Sequence, residues 1–354
     1  MFYRENGQFK TSYQADQQIF PIVQDRWFML VLLLIAFIGV PWFATDYMFS
    51  AILIPFVIMA MAALGVNILV GYCGQISLGS GAFMAVGAYG AYNFFARVPG
   101  LPLIPTLILG GLCATVFGVL FGLPSLRVKG LYLAVATLAA QFFADWLFLR
   151  VQWFTNNSSS GSVSVNNLQV FGFSLESPVA KYWFCLVLLS VIALLAKNLV
   201  RGAVGREWMA IRDMDVAAAV IGIRPMFAKL SAFAVSSFIV GVAGGLWAYF
   251  FRSVTPESFP LLMSIFFLAA IIVGGMGSIL GGILGAAFMT LVPEVLKLMV
   301  GWLPNASEAM VMLAPVRTIV FGVLIVGFLI FEPHGLAEIW RRIRRFFHLW
   351  PFRS

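Results

Sequence analysis

Long apolar runs separated by short polar stretches fill most of this chain. Ten such runs lie at residues 27–43, 49–70, 81–96, 103–123, 131–149, 182–199, 229–250, 261–274, 279–300 and 316–331. A bilayer-spanning helix needs about 20 mostly apolar residues, so the pattern predicts about ten transmembrane helices. The runs 81–96 and 261–274 are short and adjoin glycine-rich stretches, which predicts re-entrant or broken helices there. Irregular backbone survives at membrane depth only where protein or a water-filled cavity surrounds it.

The composition excludes a soluble protein. Hydrophobic residues make up 62% of the 354 residues, charged residues make up 10%, and the mean hydropathy is +0.98. A soluble domain has about 45–50% apolar and about 25% charged residues, so a soluble fold of this chain would expose one continuous apolar surface. The runs are continuous rather than alternating, which excludes a β-barrel. The sequence therefore predicts an all-α, polytopic integral membrane protein.

The positive charges predict how the chain is oriented. The net charge is +8, and 16 of the 22 Lys and Arg fall on segments that ten spans place on the same side as both termini. Lys and Arg collect on the cytoplasmic side of membrane proteins, so we expect both termini in the cytoplasm and no nucleic-acid partner. The organisation is then a cytoplasmic tail at 1–26, a transmembrane domain at 27–331 and a basic C-terminal tail at 332–354.

Two connecting loops within 27–331 differ from the others. The outer loop, 152–180, contains TNNSSSGSVSVNN and reads as irregular surface chain, either a flexible connector or a contact surface. The cytoplasmic loop, 199–229, is basic but also has helical content. Two of its three acids, Asp213 and Asp215, fit two short helices joined near them, where the dipole of the second helix favours negative charge. This loop either sets topology only or forms a preformed helical knob for a soluble partner.

Four segments of the sequence resemble permeases of the branched-chain amino acid class of ATP-binding-cassette (ABC) importers. GREWMAIRDMDVAAAVIGI at 205–223 resembles their coupling segment, and GYCGQISLGSGAFMAVGAY at 71–89 and IIVGGMGSILGGILGA at 271–286 resemble their glycine-rich motifs. FEPHGLAEIWRRIRRFFHLWPF at 331–352 resembles the C-terminal end of the LivM branch, and YRENGQFKTSY near the start also fits it. The resemblance covers nearly the whole chain in the expected order.

The resemblance implies a type II importer-like permease in the bacterial inner membrane. Its implied partners are a second, LivH-like permease, two ABC ATPase subunits inside, a periplasmic binding protein outside, and membrane lipid. The implied substrates are branched-chain amino acids, although close relatives carry other amino acids, urea or short amides. The implied ATPase-coupling residues are Gly205, Arg206, Arg212, Asp213, Asp215, Ala217, Ala218 and Gly222.

The chain carries no recognisable catalytic, nucleotide or metal site of its own. None of its six lysines stands in a GxxxxGK[ST] context, so ATP and Mg²⁺ are expected only in partner subunits. Three separated cysteines and two histidines provide no zinc or redox spacing. We therefore expect a non-catalytic membrane subunit without a cofactor.

The glycine-rich motifs also contain the candidate residues of a translocation path. Polar groups beside glycines at a break between spans line cavities, with helix ends aimed at a zwitterionic substrate. The candidates are Gln75, Ser77 and Ser80 in the first motif and Gly274 and Gly275 in the second. Gly277, Gly281 and Gly285 stand four residues apart, as do Gly118 and Gly122, and Ser237, Gly241 and Gly245. Small residues at this spacing predict close helix packing, which is the expected role of most of the glycines.

Two acids in or beside predicted spans test the alternative of an ion-coupled secondary transporter. Asp145 and Glu294 are candidates for proton coupling, because carboxylates in a bilayer are costly. Both lie near a span end and a basic residue, Arg150 or Lys297, so paired interfacial charge is the favoured interpretation. The C-terminal tail alternates apolar and basic residues at helical spacing, which predicts an amphipathic helix in the lipid headgroup layer.

Overall fold

The structure is a computed structural model that describes residues 23–98, 100–125, 131–156, 158, 161–164, 169–170, 173–301, 313–332 and 335–349. The expected N-terminal tail as far as residue 22, the basic residues Arg127 and Lys129, and the end of the C-terminal tail from Trp350 lie outside these ranges. Twelve helical segments are numbered in chain order: α1 Val23–Leu34, α2 Asp46–Tyr72, α3 Ser80–Arg97, α4 Leu103–Ser125, α5 Leu131–Arg150, α6 Pro178–Arg201, α7 Ala203–Val220, α8 Pro225–Phe251, α9 Leu261–Gly274, α10 Ile279–Gly301, α11 Leu313–Phe331 and α12 Leu336–Leu349.

The helices confirm an all-α polytopic membrane protein. Every one of the ten apolar runs is helical in the described part of the chain, and α1 continues through a π-helical turn, Ile35–Gly39, to Val40–Phe43. Seven of the described helices are long and apolar enough to cross a membrane. The apolar stretches Trp27–Phe43 and Ile319–Phe328 are shorter, and α3 falls outside the seven. The count of ten crossings therefore stays a prediction.

Helix α8 forms the centre of the bundle and packs against α2, α3 and α4. Small residues let these backbones approach: a methyl group on Gly87 would overlap the backbone of Gly241, and one on Gly244 would overlap that of Met84. The pairing of Gly118 with Ser237 repeats this contact between α4 and α8. Close approach of small residues is a main means of association for membrane helices. The predicted packing role of these glycines is confirmed.

The late glycine motif packs α9 against α10 in the same way. A methyl group on Gly274 would overlap the carbonyl of Gly281, and one on Gly285 would overlap that of Ala270. The turn between the two helices has positive φ at Gly275 and Gly277, 115° and 72°. An L side chain rarely adopts such angles, so the turn depends on glycine.

The described part of the outer loop is attached to the helices. Strand β1, Val163–Ser164, pairs antiparallel with β4, Ser253–Val254, and β2, Gln169–Val170, pairs with β3, Phe173–Ser174. The Tyr89 hydroxyl donates to the Gly161 carbonyl at 2.8 Å. These contacts do not fit a free connector, so for these residues that interpretation is wrong. The contact-surface interpretation stays a prediction.

The C-terminal tail forms the predicted amphipathic helix, α12. Just before it, Gly335 has φ 73° and lies against the backbone of Gly275, where a side chain would overlap. Arg341 pairs with Glu338 at 3.0 Å, and the Phe28 and Trp340 ring centroids lie 5.3 Å apart. The C-terminal segment therefore contacts α1 and the turn between α9 and α10. Its position in the headgroup layer stays a prediction.

Candidate translocation site and coupling loop

The first interruption of a membrane helix follows α2. The helix ends in a π-helical turn, Ile68–Tyr72, and residues 73–79 are non-helical before α3 begins at Ser80. Gly74 has φ 71°, which releases the chain from the helix. The three polar candidates of this segment are buried, with exposures of 5% for Gln75, 0% for Ser77 and 2% for Ser80. They lie inside the protein, as residues lining an interruption should.

The second interruption precedes α9 and meets the first. After Arg252, which has φ 57°, the chain passes β4 and a 3₁₀ turn, Pro256–Ser258, before α9 begins. The Gly81 amide in the first turn of α3 donates to the Ser264 hydroxyl in the first turn of α9 at 2.8 Å. A methyl group on Gly81 would lie 3.3 Å from the Phe259 carbonyl oxygen. The N-terminal turns of α3 and α9 are therefore in direct contact.

Helix α5 fixes this meeting point in the middle of the bundle. Gln141 lies halfway along the 20-residue helix, and its Nε2 donates to the Phe259 carbonyl at 2.9 Å. Thr137, one turn earlier, accepts from the Leu78 amide at 2.9 Å. At 1.5 Å rise per residue, Gln141 lies about 15 Å from either end of α5. The two helix N-termini thus converge about halfway across the apolar thickness.

Two buried amide oxygens at or near this point have no hydrogen-bond donor among the described residues. They are Oε1 of Gln141, which is fully buried and lies against Gly81, and Oε1 of Gln75. An unpaired buried acceptor costs about 1–3 kcal/mol, so such atoms call for an explanation. Acceptors beside two helix N-termini, which favour negative charge, form a mixed environment suited to a zwitterion.

The remaining two path candidates lie in a different place. Gly274 and Gly275 occupy the turn between α9 and α10, where they pack against Gly281 and Gly335. Asn67 of α2 secures this turn: it donates to the Ser278 carbonyl at 2.7 Å and accepts from the Gly277 amide at 3.0 Å. The structure thus separates the candidates into an interior group and a packing turn. A path role for either group stays a prediction.

Sequence reasoning missed three residues that organise these interruptions: Asn67, Gln141 and Ser264. Each is buried and makes a hydrogen bond between segments that are distant in sequence. The available signal was a single amide or hydroxyl inside an otherwise apolar run. Such groups need partners inside the bilayer, so a lone Asn or Gln in a span marks a contact.

The coupling loop contains two short helices, as predicted. Within α7, Met214 has φ −157° and ψ 101°, so the helix breaks between Asp213 and Asp215. Gly205 lies against the Val200 carbonyl, where a side chain would overlap, and Ala218 is buried while Ala217 is exposed. At and beyond the break, apolar side chains are left uncovered by the residues that the structure describes: Met214 is 70% exposed, Val216 69%, Val220 83% and Ile221 75%. An exposed apolar patch of this kind is typical of an interaction surface, and its role here stays a prediction.

The first short helix is fastened to α8. The Trp208 side chain is fully buried, and its Nε1 donates to the Ser231 hydroxyl at 2.9 Å. Lys229 lies 4.0 Å from Asp215 across the loop. The loop is therefore a rigid element mounted on the start of a membrane helix, rather than a solvated linker.

The charged candidates of the loop face different directions. Arg206 donates to the Arg201 carbonyl at 3.2 Å, and the Asp213 side chain is 66% exposed. Arg212 pairs with Asp213 at 3.0 Å but also donates to the Gly71 carbonyl at 3.0 Å. Arg206 and Asp213 lie on the outer surface, whereas Arg212 reaches into the membrane part.

The two acids near span ends have different partners. Glu294 pairs with Lys297 at 2.6 Å, which confirms the predicted interfacial pair. Asp145 instead accepts from Gln141 Nε2 at 3.3 Å, so its predicted pairing with Arg150 is wrong. Residues five apart project about 140° from one another around a helix, whereas residues four apart share a face. No cluster of His, Cys, Asp and Glu suited to a metal occurs in the described ranges.

Gly222 ends the second short helix with φ 94°, the left-handed conformation that a glycine commonly adopts after a helix. No atom lies within 4 Å of where a side chain would start, so a substitution acts through backbone strain alone. We expect Gly222→Val to lower transport by about tenfold, at about 1–3 kcal/mol of strain, and Gly222→Asn to retain most of it, since Asn tolerates positive φ. Equal uptake rates for the two variants would contradict this.

Interrupted helices that meet inside the bundle, together with a rigid helical element outside it, define a membrane transport permease. The family described as the permease component of the branched-chain amino acid transport system matches residues 48–329, so the chain belongs to this family. It is a permease subunit of an ABC importer.

Two curated relatives are both described as LivM permease proteins. The high-affinity branched-chain amino acid transport system permease protein LivM of Salmonella typhimurium is 31% identical over 347 residues, which cover 90% of this chain and 76% of the relative. LivM of Escherichia coli is 31% identical over 308 residues, which cover 80% and 68%. No solved structure gives a significant match.

Proposed function

We propose that this chain forms half of the translocation path for branched-chain amino acids in the bacterial inner membrane. It pairs with a second, LivH-like permease, receives substrate from a periplasmic binding protein and is driven by two cytoplasmic ATPase subunits. ATP and Mg²⁺ act in those subunits, and this chain has no catalytic role. Both termini and the coupling loop face the cytoplasm, and the 152–180 loop faces the periplasm.

The convergence of the two interruptions is the observation that carries this proposal. Helices α3 and α9 begin at one point in the bundle interior, so two positive helix ends are available to a carboxylate. The unpaired oxygen of Gln141 at the same point is an acceptor for an ammonium group. An amino acid carries both a carboxylate and an ammonium group, so it could bind the helix N-termini and the Gln141 oxygen at the same time.

The relatives and the coupling loop support the remaining parts. Both curated relatives are named for high-affinity transport of branched-chain amino acids. The apolar face around Val216, Val220 and Ile221 is exposed on a rigid element, which is what a mechanical contact with an ATPase subunit requires. Cytoplasmic basic residues on this loop support the proposed orientation.

The two alternatives fit less well. Urea or a short amide carries no full charge, so two helix N-termini would contribute little to its binding. An ion-coupled transporter needs a titratable group that changes charge during transport. The Asp145 carboxylate accepts a hydrogen bond from Gln141 and so already has a partner.

The test is uptake by the complete complex in proteoliposomes with its binding protein. We expect ATP-dependent accumulation of leucine, no competition by excess urea, and unchanged dependence on ATP in Asp145→Asn. Gln141→Met, which keeps the side-chain length but removes both amide atoms, should lower leucine uptake about tenfold or more, because hydrogen bonds at the convergence are lost.

The matched control is Phe142→Leu, one residue along α5 on its exposed side, which should transport normally. Leucine accumulation driven by a proton gradient without ATP would overturn the proposed class. Urea accumulation in place of leucine would overturn the proposed substrate.

A further inference from the structure

Arg212 caps the end of the first interrupted helix. Its Nη1 donates to the carbonyl of Gly71, in the last turn of α2, at 3.0 Å. The last four carbonyls of a helix have no partner within the helix, and the C-terminal end favours a positive charge. A residue of the cytoplasmic loop, 141 positions later in the chain, therefore completes a membrane helix at the point where it unwinds.

Glycines of both glycine-rich motifs leave the space that this side chain occupies. A methyl group on Gly74 would lie 2.9 Å from Arg212 Cγ, and one on Gly277 would lie 3.2 Å from Nη1. Gly277 also lies against the backbone of Gly71 at the end of α2. One arginine thus lies between the start of the first interruption and the turn that follows α9.

Hydrogen bonds of Asn67 also join α2 to the turn that follows α9. Asn67 of α2 accepts from the Gly277 amide and donates to the Ser278 carbonyl. The turn at 275–278 directly follows α9, whose other end lies at the interior convergence. A displacement of Arg212 therefore acts on the C-terminal end of α2 and on the C-terminal end of α9 together.

The loop holds Arg212 so that such displacements are transmitted. Arg212 is four residues after the buried Trp208 and two residues before the break at Met214, so it belongs to the short helix fastened to α8. The exposed apolar face lies beyond the break, on the second short helix. A partner bound there would move the arginine without touching it.

We propose that Arg212 is the positioning residue that transmits movement of the coupling loop to both interrupted helices, rather than a contact for the ATPase subunit. This inference rests on the proposed function. Loss of Arg212 should leave the contact between the coupling loop and the ATPase subunit in place. The ends of α2 and α9 should then no longer follow the movement of the loop. The expected signature is uncoupling, in which ATP is hydrolysed without a matching amount of transport.

The experiment measures ATP hydrolysed per leucine taken up by the reconstituted complex. We expect Arg212→Ala to raise this ratio about tenfold, the effect of losing one hydrogen bond from a charged donor, with normal assembly and ATP hydrolysis retained. Arg212→Lys keeps the positive charge at the helix end but loses the forked guanidinium group. Its ratio should therefore fall between that of the unaltered complex and that of Arg212→Ala. The control variant is Arg342→Ala, which removes from α12 a guanidinium that is hydrogen-bonded to Glu332. It should leave the ratio unchanged.

A double-variant cycle tests the contact itself. Gly74→Ala should raise the ratio because it displaces the arginine stem and strains the backbone, and it should raise the ratio less in the Arg212→Ala background, where Cγ is absent. The backbone strain at Gly74 is the same in both backgrounds, so the difference isolates the contact. If Arg212→Ala does not assemble, the ratios of Arg212→Lys and Gly74→Ala decide.

Two results would overturn the inference: additive effects in the cycle, or an unchanged ratio of ATP hydrolysed to leucine taken up. An unchanged ratio with lower rates of both processes would show that Arg212 serves docking. Absence of ATP-driven leucine uptake in the unaltered complex would instead refute the proposed function.

Discussion

Gly87→Ala should prevent accumulation of the folded permease in the membrane. The added methyl group would overlap the backbone of Gly241, so α3 and α8 would have to separate along a contact that forms the centre of the bundle. Overpacking of a core costs about 1–3 kcal/mol when side chains can yield, and here the obstacle is backbone on a rigid helix. This is a large fraction of a total stability of about 5–15 kcal/mol.

Gly322→Ala provides the matched control, since it adds the same group to α11 where nothing lies within 4 Å. Membrane yield and the elution profile in mild detergent should show a normal peak for Gly322→Ala and little or none for Gly87→Ala. A folded, monodisperse Gly87→Ala protein would mean that α3 and α8 are not in the close contact described here.

Trp208→Ala should detach the coupling loop from α8 and abolish uptake. The side chain is fully buried beneath the loop, and removal of a buried large aromatic costs about 3–5 kcal/mol. Trp208 is the largest of the loop's buried apolar side chains, which also include Ile211 and Ala218, so this loss falls on the loop rather than on the bundle. We expect leucine uptake to fall at least about a hundredfold, while the protein still inserts and elutes normally.

Trp208→Phe separates packing from hydrogen bonding. It keeps most of the buried ring but loses the donor to Ser231, worth about 1 kcal/mol, and should retain a substantial fraction of uptake. Protease sensitivity of the loop, measured with the complex in detergent, should rise in Trp208→Ala alone. Full uptake by Trp208→Ala would show that the loop needs no rigid mounting.

The helices and the packing glycines were predictable because their causes are local. A run of about 20 apolar residues has no stable alternative to a helix in lipid, and glycines four apart on one face indicate close approach whatever the partner. The break near Asp213 and the positive φ of Gly222 were likewise visible, since acids and glycine have strong preferences at helix ends.

The convergence of the interruptions was not predictable from local patterns. Gly81 and Ser264 are 183 positions apart, and a hydroxyl in an apolar run does not indicate which segment it will meet. The direction of Arg212 was hidden for a similar reason. Its neighbours in sequence are those of an exposed basic loop, and only the fold reveals that Gly74 and Gly277 leave room for it.

The hydrogen bonds of Asn67 have a consequence for biosynthesis. Their partners, Gly277 and Ser278, are 210 and 211 residues further along the chain, so they emerge from the ribosome long after Asn67 has entered the bilayer. Until then the Asn67 amide is without these partners in a solvent that supplies none. The early helices must therefore wait, sheltered by the insertion machinery or by temporary partners, and the native bundle closes only when synthesis is nearly finished.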